Sequence, residues 1–185
     1  MVTQDGCTRA GRYETLGGGG NIAMDGPLLT LGATVRLKGS NAPFVASEHF
    51  VFCMDDKKVM VSYIEGGFPK WLMPKTEQPV GATTLRCYEL QRDAPDDDIF
   101  AALGGEQHCE STLTEVFMLM QEQNHGQEGV LATNGFGNHF YIRDTAGVLR
   151  MVGVHWCDGG WFVEGDRIRG EAWWPVKDRV FVRAA

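Results

Sequence analysis

A chain of 185 residues, 43% hydrophobic and 22% charged, is long enough to bury one sizeable core and ordinary enough in composition to be globular. No apolar run approaches the length of a membrane-spanning helix, and the opening residues, Met1 to Cys7, lack the basic cluster and apolar stretch of a secretory signal. The formal charge of −7 is concentrated: nine acids and no Lys or Arg fall between Asp93 and Glu128, and the remainder is net +2, which argues against nucleic-acid binding because phosphate neutralisation needs clustered bases.

Residues 1–26 are polar and glycine-rich around Gly17-Gly18-Gly19-Gly20, a composition that fixes no conformation and reads as an N-terminal arm. Residues 27–185 read as one domain. Leu29, Leu31, Ala33, Val35 and Leu37 alternate with polar or small residues, which predicts a half-buried strand. Glu48–Met54 and Val59–Ile64 flank a polar break and read as a hairpin with Met54 opposite Val59, apolar on both faces and therefore covered on both sides. Thr83–Leu90 reads as another strand. Pro95 and the acids Asp96, Asp97 and Asp98 suit a helix N-terminus, with Gly104 or Gly105 as its stop. Thr112 and Glu115 have the spacing of a capping box opening a second helix, with Leu113, Val116, Phe117 and Met120 inward and Gly126 as its stop. Glu115, Met118 and Glu122 fall on the opposite stripe. Strands at Gly137–Arg143, Val148–Trp156, Trp161–Gly165 and Arg179–Arg183 close the chain. The fold class expected is α+β: a mainly antiparallel sheet of about seven strands in hairpins and a meander, with two helices packed on one face.

The C-terminal meander carries the candidate binding residues. Pairing Arg143 with Val148 and Trp156 with Trp161 places His139, Tyr141, Arg150, Trp156 and Trp161 on one face, a mixture of stacking area and hydrogen-bond donors suited to a planar or anionic ligand. The plainer alternative is a face covered by the chain's own residues, Trp173 and Trp174 included. The five cysteines are scattered and odd in number, and no CxxC pair occurs, so reduced thiols in a cytoplasmic protein are expected. His155 and Cys157 share a face at strand spacing, but the sequence offers no third ligand beside them, so no metal and no cofactor is expected. Cys109 precedes a helix N-terminus beside His108, yet Glu106 and Glu110 oppose a thiolate there.

Three functional readings follow. The first is a non-catalytic binding protein that presents the aromatic and cationic face to a small molecule or peptide. The second is an acidic interaction or inhibitor-type module using residues 93–128, with Glu115, Met118 and Glu122 facing a basic protein partner. The third is a small enzyme using His139 and Tyr141. Met118 on a polar helix stripe, together with the frequency of two-fold assemblies, suggests a homodimer.

Overall fold

The computed structural model describes residues 26–168 and 173–184, so the N-terminal arm, apart from its last residue, lies outside the described residues. In chain order the elements are β1 (Leu29–Leu37), β2 (Phe44–Val45), α1 (Ala46–His49), β3 (Val61–Gly66), α2 (Phe68–Trp71), β4 (Thr76–Glu77), β5 (Thr83–Leu90) and β6 (Ala94–Pro95). They continue with α3 (Asp96–Ala102), a 3-10 turn at Glu106–His108, α4 (Leu113–Glu122), β7 (Asn138–Arg143), β8 (Leu149–Cys157), β9 (Gly160–Arg167), β10 (Trp173–Trp174) and β11 (Arg179–Arg183). Seven strands form one sheet in the order β1-β5-β11-β7-β8-β9-β3, and β6 pairs with β10 and β2 with β4 as two small ribbons. The sheet is mixed, not purely antiparallel, because β11 lies parallel to β7 and β3 lies parallel to β9. Neither parallel pair joins consecutive strands, so neither was visible as a hairpin signal.

The two predicted helices form, but they do not share a face. Ile99 and Phe100 of α3 pack with Leu90, Tyr141, Met151, Trp174 and Val180, whereas Leu113, Val116, Phe117 and Met120 of α4 pack with Phe50, Phe140, Ile142, Val154 and Trp161. The sheet therefore carries a core on each side, the larger under α1, α2 and α4. The capping box at Thr112 closes as the spacing implied: Thr112 N donates to Glu115 Oε2 at 2.8 Å and Glu115 N donates to Thr112 Oγ1 at 3.3 Å. A second carboxylate finishes that helix start, for the buried Glu77 accepts from Leu113 N at 3.0 Å and Thr114 N at 2.8 Å.

Three registers depart from the sequence reading. In β1 the register shifts between Leu31 and Ala33. A bulge at Gly32 turns Leu29 toward the α3 side and Ala33, Val35 and Leu37 toward the larger core, which breaks a single apolar face into two. The hairpin predicted at 48–64 does not form as drawn. Residues Ala46–His49 are helical, and a single bridge, Cys53 with Val61, replaces the ladder. Finally, Arg143 pairs with Leu149 instead of Val148. The cause is the turn: Asp144 N donates to Val148 O at 2.9 Å, closing a three-residue loop whose Gly147 takes φ 78°. Asp144 locks it, accepting Ala146 N and Val148 N on Oδ1 and Arg150 Nε on Oδ2, all within 2.8–2.9 Å. The β8–β9 turn matches expectation, with Asp158 at φ 51° and Gly159 at φ 76° between Cys157 and Gly160 and Trp156 opposite Trp161.

Candidate functional site

A one-residue register shift in a strand pair exchanges the faces of every side chain on one strand relative to the other. With Arg143 opposite Leu149, the five candidate binding residues separate. His139 and Tyr141 lie on the α3 side with Leu149 and Met151, while Arg150, Trp156 and Trp161 lie on the α4 side with Phe140, Ile142, Val152 and Val154. The expected common face is corrected accordingly.

On the α4 side each group is held by the chain. Trp161 is fully buried, donates Nε1 to Gln123 O at 3.2 Å and meets Trp156 edge-on at 5.3 Å. Arg150 binds Asp144 and lies 4.1 Å from the centroid of the Trp71 ring, with Arg167 at 5.7 Å from the same ring. A buried guanidinium is costly unless paired, and here a carboxylate and an aromatic face pair it.

On the α3 side lies a buried polar network. Asp96 is the first residue of α3, immediately after Pro95, whose extended backbone turns the aspartate inward. Its Oδ1 accepts from Tyr141 Oη at 2.7 Å and from Trp174 Nε1 at 2.8 Å. The local pattern repeats that of β2–α1, where the equivalent first helical residue, Ala46, is also buried. A carboxylate thus stands where an alanine suffices for packing. Beside it, His139 Nε2 and Asp178 Oδ2 are 2.6 Å apart, Asp178 Oδ1 accepts Gly137 N at 2.8 Å, and the Trp174 ring lies 4.5 Å from the imidazole. Asp178 follows Lys177, a non-glycine residue at φ 75°. His139 Nδ1 has no hydrogen-bond partner among the described residues.

Burial dominates the electrostatics of two groups at this network. Burial first, then the charge and hydrogen bond of Asp96, push the Tyr141 phenol well above its ordinary range. Burial also raises the nearby Cys109 thiol to about 12, with Glu106 adding to the shift, so it is not an activated nucleophile. No group of three or more His, Cys, Asp or Glu residues suited to a metal ion occurs among the described residues. Cys53, Cys87 and Cys109 are free thiols, but Cys157 is disulfide-bonded, a departure from the expectation of five reduced cysteines.

The acidic helix stripe also differs from expectation. Glu115 is fully buried and receives Arg183 Nε and Thr83 Oγ1 at 2.9 and 2.8 Å. Met118 packs against the larger core, and Glu122 is exposed. Of the remaining acids, Glu106 and Glu110 are engaged by Arg143.

The exposed apolar surface lies elsewhere, at the β3 end of the sheet. Phe52 is 73% exposed, Tyr63 53% and Met54 47%, with Val51 beside them. Tyr63 stacks on Phe162 at 5.3 Å and Phe162 on His155 at 4.4 Å, giving an aromatic row across β3, β9 and β8. The next row on the same face sets Glu65 beside Glu164 and Glu164 beside Gly153, with Asp166 two residues on. Sequence reasoning placed Tyr63 in a covered hairpin. The signal available was the density of Phe, Met and Tyr around a polar break, which fits an exposed edge as well as a buried ladder. No family model, curated protein or solved structure matches the chain. No helix among the described residues is long and apolar enough to cross a membrane.

Proposed function

We propose that this protein is a non-catalytic binding module that engages an extended peptide segment of a partner along β3 and the aromatic row Tyr63–Phe162–His155. The observation that carries the reading is the exposure of Tyr63 on β3, an outermost strand of the seven-stranded sheet, together with that of Phe52 and Met54 on either side of Cys53, which is bridged to β3 at Val61. Solvent-exposed apolar groups of this size, when contiguous, mark interaction surfaces. An edge strand adds main-chain hydrogen bonds to an incoming strand, while pockets on alternate side chains supply specificity. Beyond the bridge at Cys53 and Val61, the outer side of β3 has no strand partner among the described residues. The same edge offers a route to the homodimer, by pairing β3 with its copy.

The acidic-module reading has less support, because Glu115 is buried and Arg143 occupies two of the other acids. The enzyme reading has less still, because His139 and Tyr141 are each tied to a buried aspartate and both are enclosed. The test is a peptide-array screen with the full chain, repeated with Tyr63→Ala and Phe52→Ser. Binding that collapses in both variants supports the face, and binding indifferent to both places recognition elsewhere.

A further inference from the structure

The loop that leads the chain into β7 runs from Thr133 to Phe136 between two anchored points. On one side Asn138 Oδ1 accepts from Ala132 N at 2.7 Å and Asn138 Nδ2 donates to Ala132 O at 3.0 Å. On the other, Gly137 N donates to Asp178 Oδ1 at 2.8 Å. Between these anchors Asn134 and Gly135 are exposed, and neither makes a hydrogen bond to another described residue through backbone or side chain. Gly135 takes φ 94°, and a Cβ placed on it would meet nothing within 4 Å. Both the Asn134 carboxamide and the Gly135 N–H are thus left to water, one directly after the other. No other Asn-Gly pair occurs in the sequence. Asn41 precedes Ala42 and Asn124 precedes His125, so each following amide is shielded by a Cβ. Asn138 is fully buried, its carboxamide held by Ala132 and by Val154 O at 2.9 Å.

We propose that Asn134 is a site of spontaneous covalent modification, in which the unbonded, unshielded backbone nitrogen of Gly135 closes on the Asn134 side chain. The Gly135 nitrogen forms a bond to Asn134 Cγ, the Cγ–Nδ2 bond breaks, and ammonia leaves with the proton that the Gly135 nitrogen gives up. Water then opens the cyclic imide. Addition at Cγ restores the peptide bond with aspartate at 134, and addition at the backbone carbonyl leaves isoaspartate, whose chain runs through the former side chain. A glycine admits this closure because it carries no Cβ to obstruct it and adopts the backbone angles it requires. Either product adds one negative charge to a chain of formal charge −7. Isoaspartate also lengthens the backbone by one methylene between the Ala132 and Gly137 anchors and exposes an α-carboxylate as a branch. The anchors are made by Asn138 and Asp178 and not by residue 134, so the fold survives the change.

The experiment incubates the full chain at physiological temperature and pH beside the end-capped peptide Ala-Thr-Asn-Gly-Phe. Peptide mapping by mass spectrometry reads the replacement of NH2 by OH at each asparagine. Methyl transfer from S-adenosylmethionine by an isoaspartyl methyltransferase counts the exposed α-carboxylates. Residue 134 is expected to convert at a rate comparable to that of the free peptide, while Asn41, Asn124 and Asn138 keep their amides and the circular dichroism spectrum is unchanged. Methyl acceptance should be lost in Asn134→Gln, whose longer side chain disfavours the ring. Gly135→Ala should slow the conversion by shielding the nitrogen, and Asn134→Gln serves alone if the alanine, strained at this φ, does not fold. An Asn134 that keeps its amide while the peptide converts overturns the proposal. Methyl acceptance that persists at the same level in Asn134→Gln overturns it too, as does faster conversion at any other asparagine.

Discussion

Replacing Tyr141 by Phe isolates one hydrogen bond in the most enclosed polar part of the molecule. Tyr141 and Asp96 are both fully buried, with Tyr141 Oη donating to Asp96 Oδ1 across 2.7 Å. The ring stays: it is gripped edge-on by Phe100 at 4.7 Å, a contact that phenylalanine preserves. Only a donor to a buried carboxylate is removed. Hydrogen bonds to charged groups are worth about 1.5–3 kcal/mol, and the cost is not recovered from water because none of this surface faces solvent. For a domain of this size each kcal/mol moves Tm by about 2–4 °C, so Tyr141→Phe should melt roughly 3–12 °C lower. Urea unfolding followed by tryptophan fluorescence should show the midpoint falling at unchanged m. Trp174→Phe removes the second donor to the same oxygen. The double variant should therefore depart from additivity, because each donor's worth depends on whether the other still holds the carboxylate. A loss below about 0.5 kcal/mol, the level of an ordinary surface substitution, would refute the network as a source of stability.

Further outcomes follow from the same geometry. At neutral pH iodoacetamide should label Cys53 and spare Cys87 and Cys109 until denaturant is added, since burial raises those two thiols to about 11 and about 12; early labelling of either would show the core more open. Because folding favours their neutral form, that contribution to stability is whole below the ordinary thiol value of 9.0 and is lost as pH rises through about 11 and 12, which an alkaline melting series reads. Asp144 behaves oppositely. Burial alone would raise its carboxyl, but the N–H groups of Val148 and Ala146 together with Arg150 outweigh burial and hold it low. Its contribution is present above the ordinary carboxylate range and lost as pH falls through the depressed value, so Asp144→Asn should flatten the acid side of the stability profile. Glu77→Ala strips Leu113 N and Thr114 N at the start of α4 of their acceptor, at a cost of about 1–3 kcal/mol for each buried donor left unmet, read by chemical denaturation.

What the sequence determined by itself is local. The capping box of Thr112 and Glu115, the proline and acids that open α3, the glycines that end it, and the Asp158-Gly159 turn each depend on contacts within a few residues, and each is present. Thr83–Leu90 and Arg179–Arg183 are strands to the residue. The pairing of distant strands was out of reach, because nothing in the residues of β11 or β3 distinguishes a parallel neighbour from an antiparallel one. The candidate face turned on a smaller matter. Asp144 closes a three-residue loop where four were assumed, and that single residue carries His139 and Tyr141 to one side of the sheet and leaves Arg150, Trp156 and Trp161 on the other. The partners that then explain these residues, Asp96 for Tyr141 and Asp178 for His139, stand 45 and 39 positions away in the chain. Side-chain periodicity fixes which residues of one strand share a face. Only the tertiary structure decides what is opposite them, because register is set jointly by a turn and by two cores competing for the two sides of one sheet.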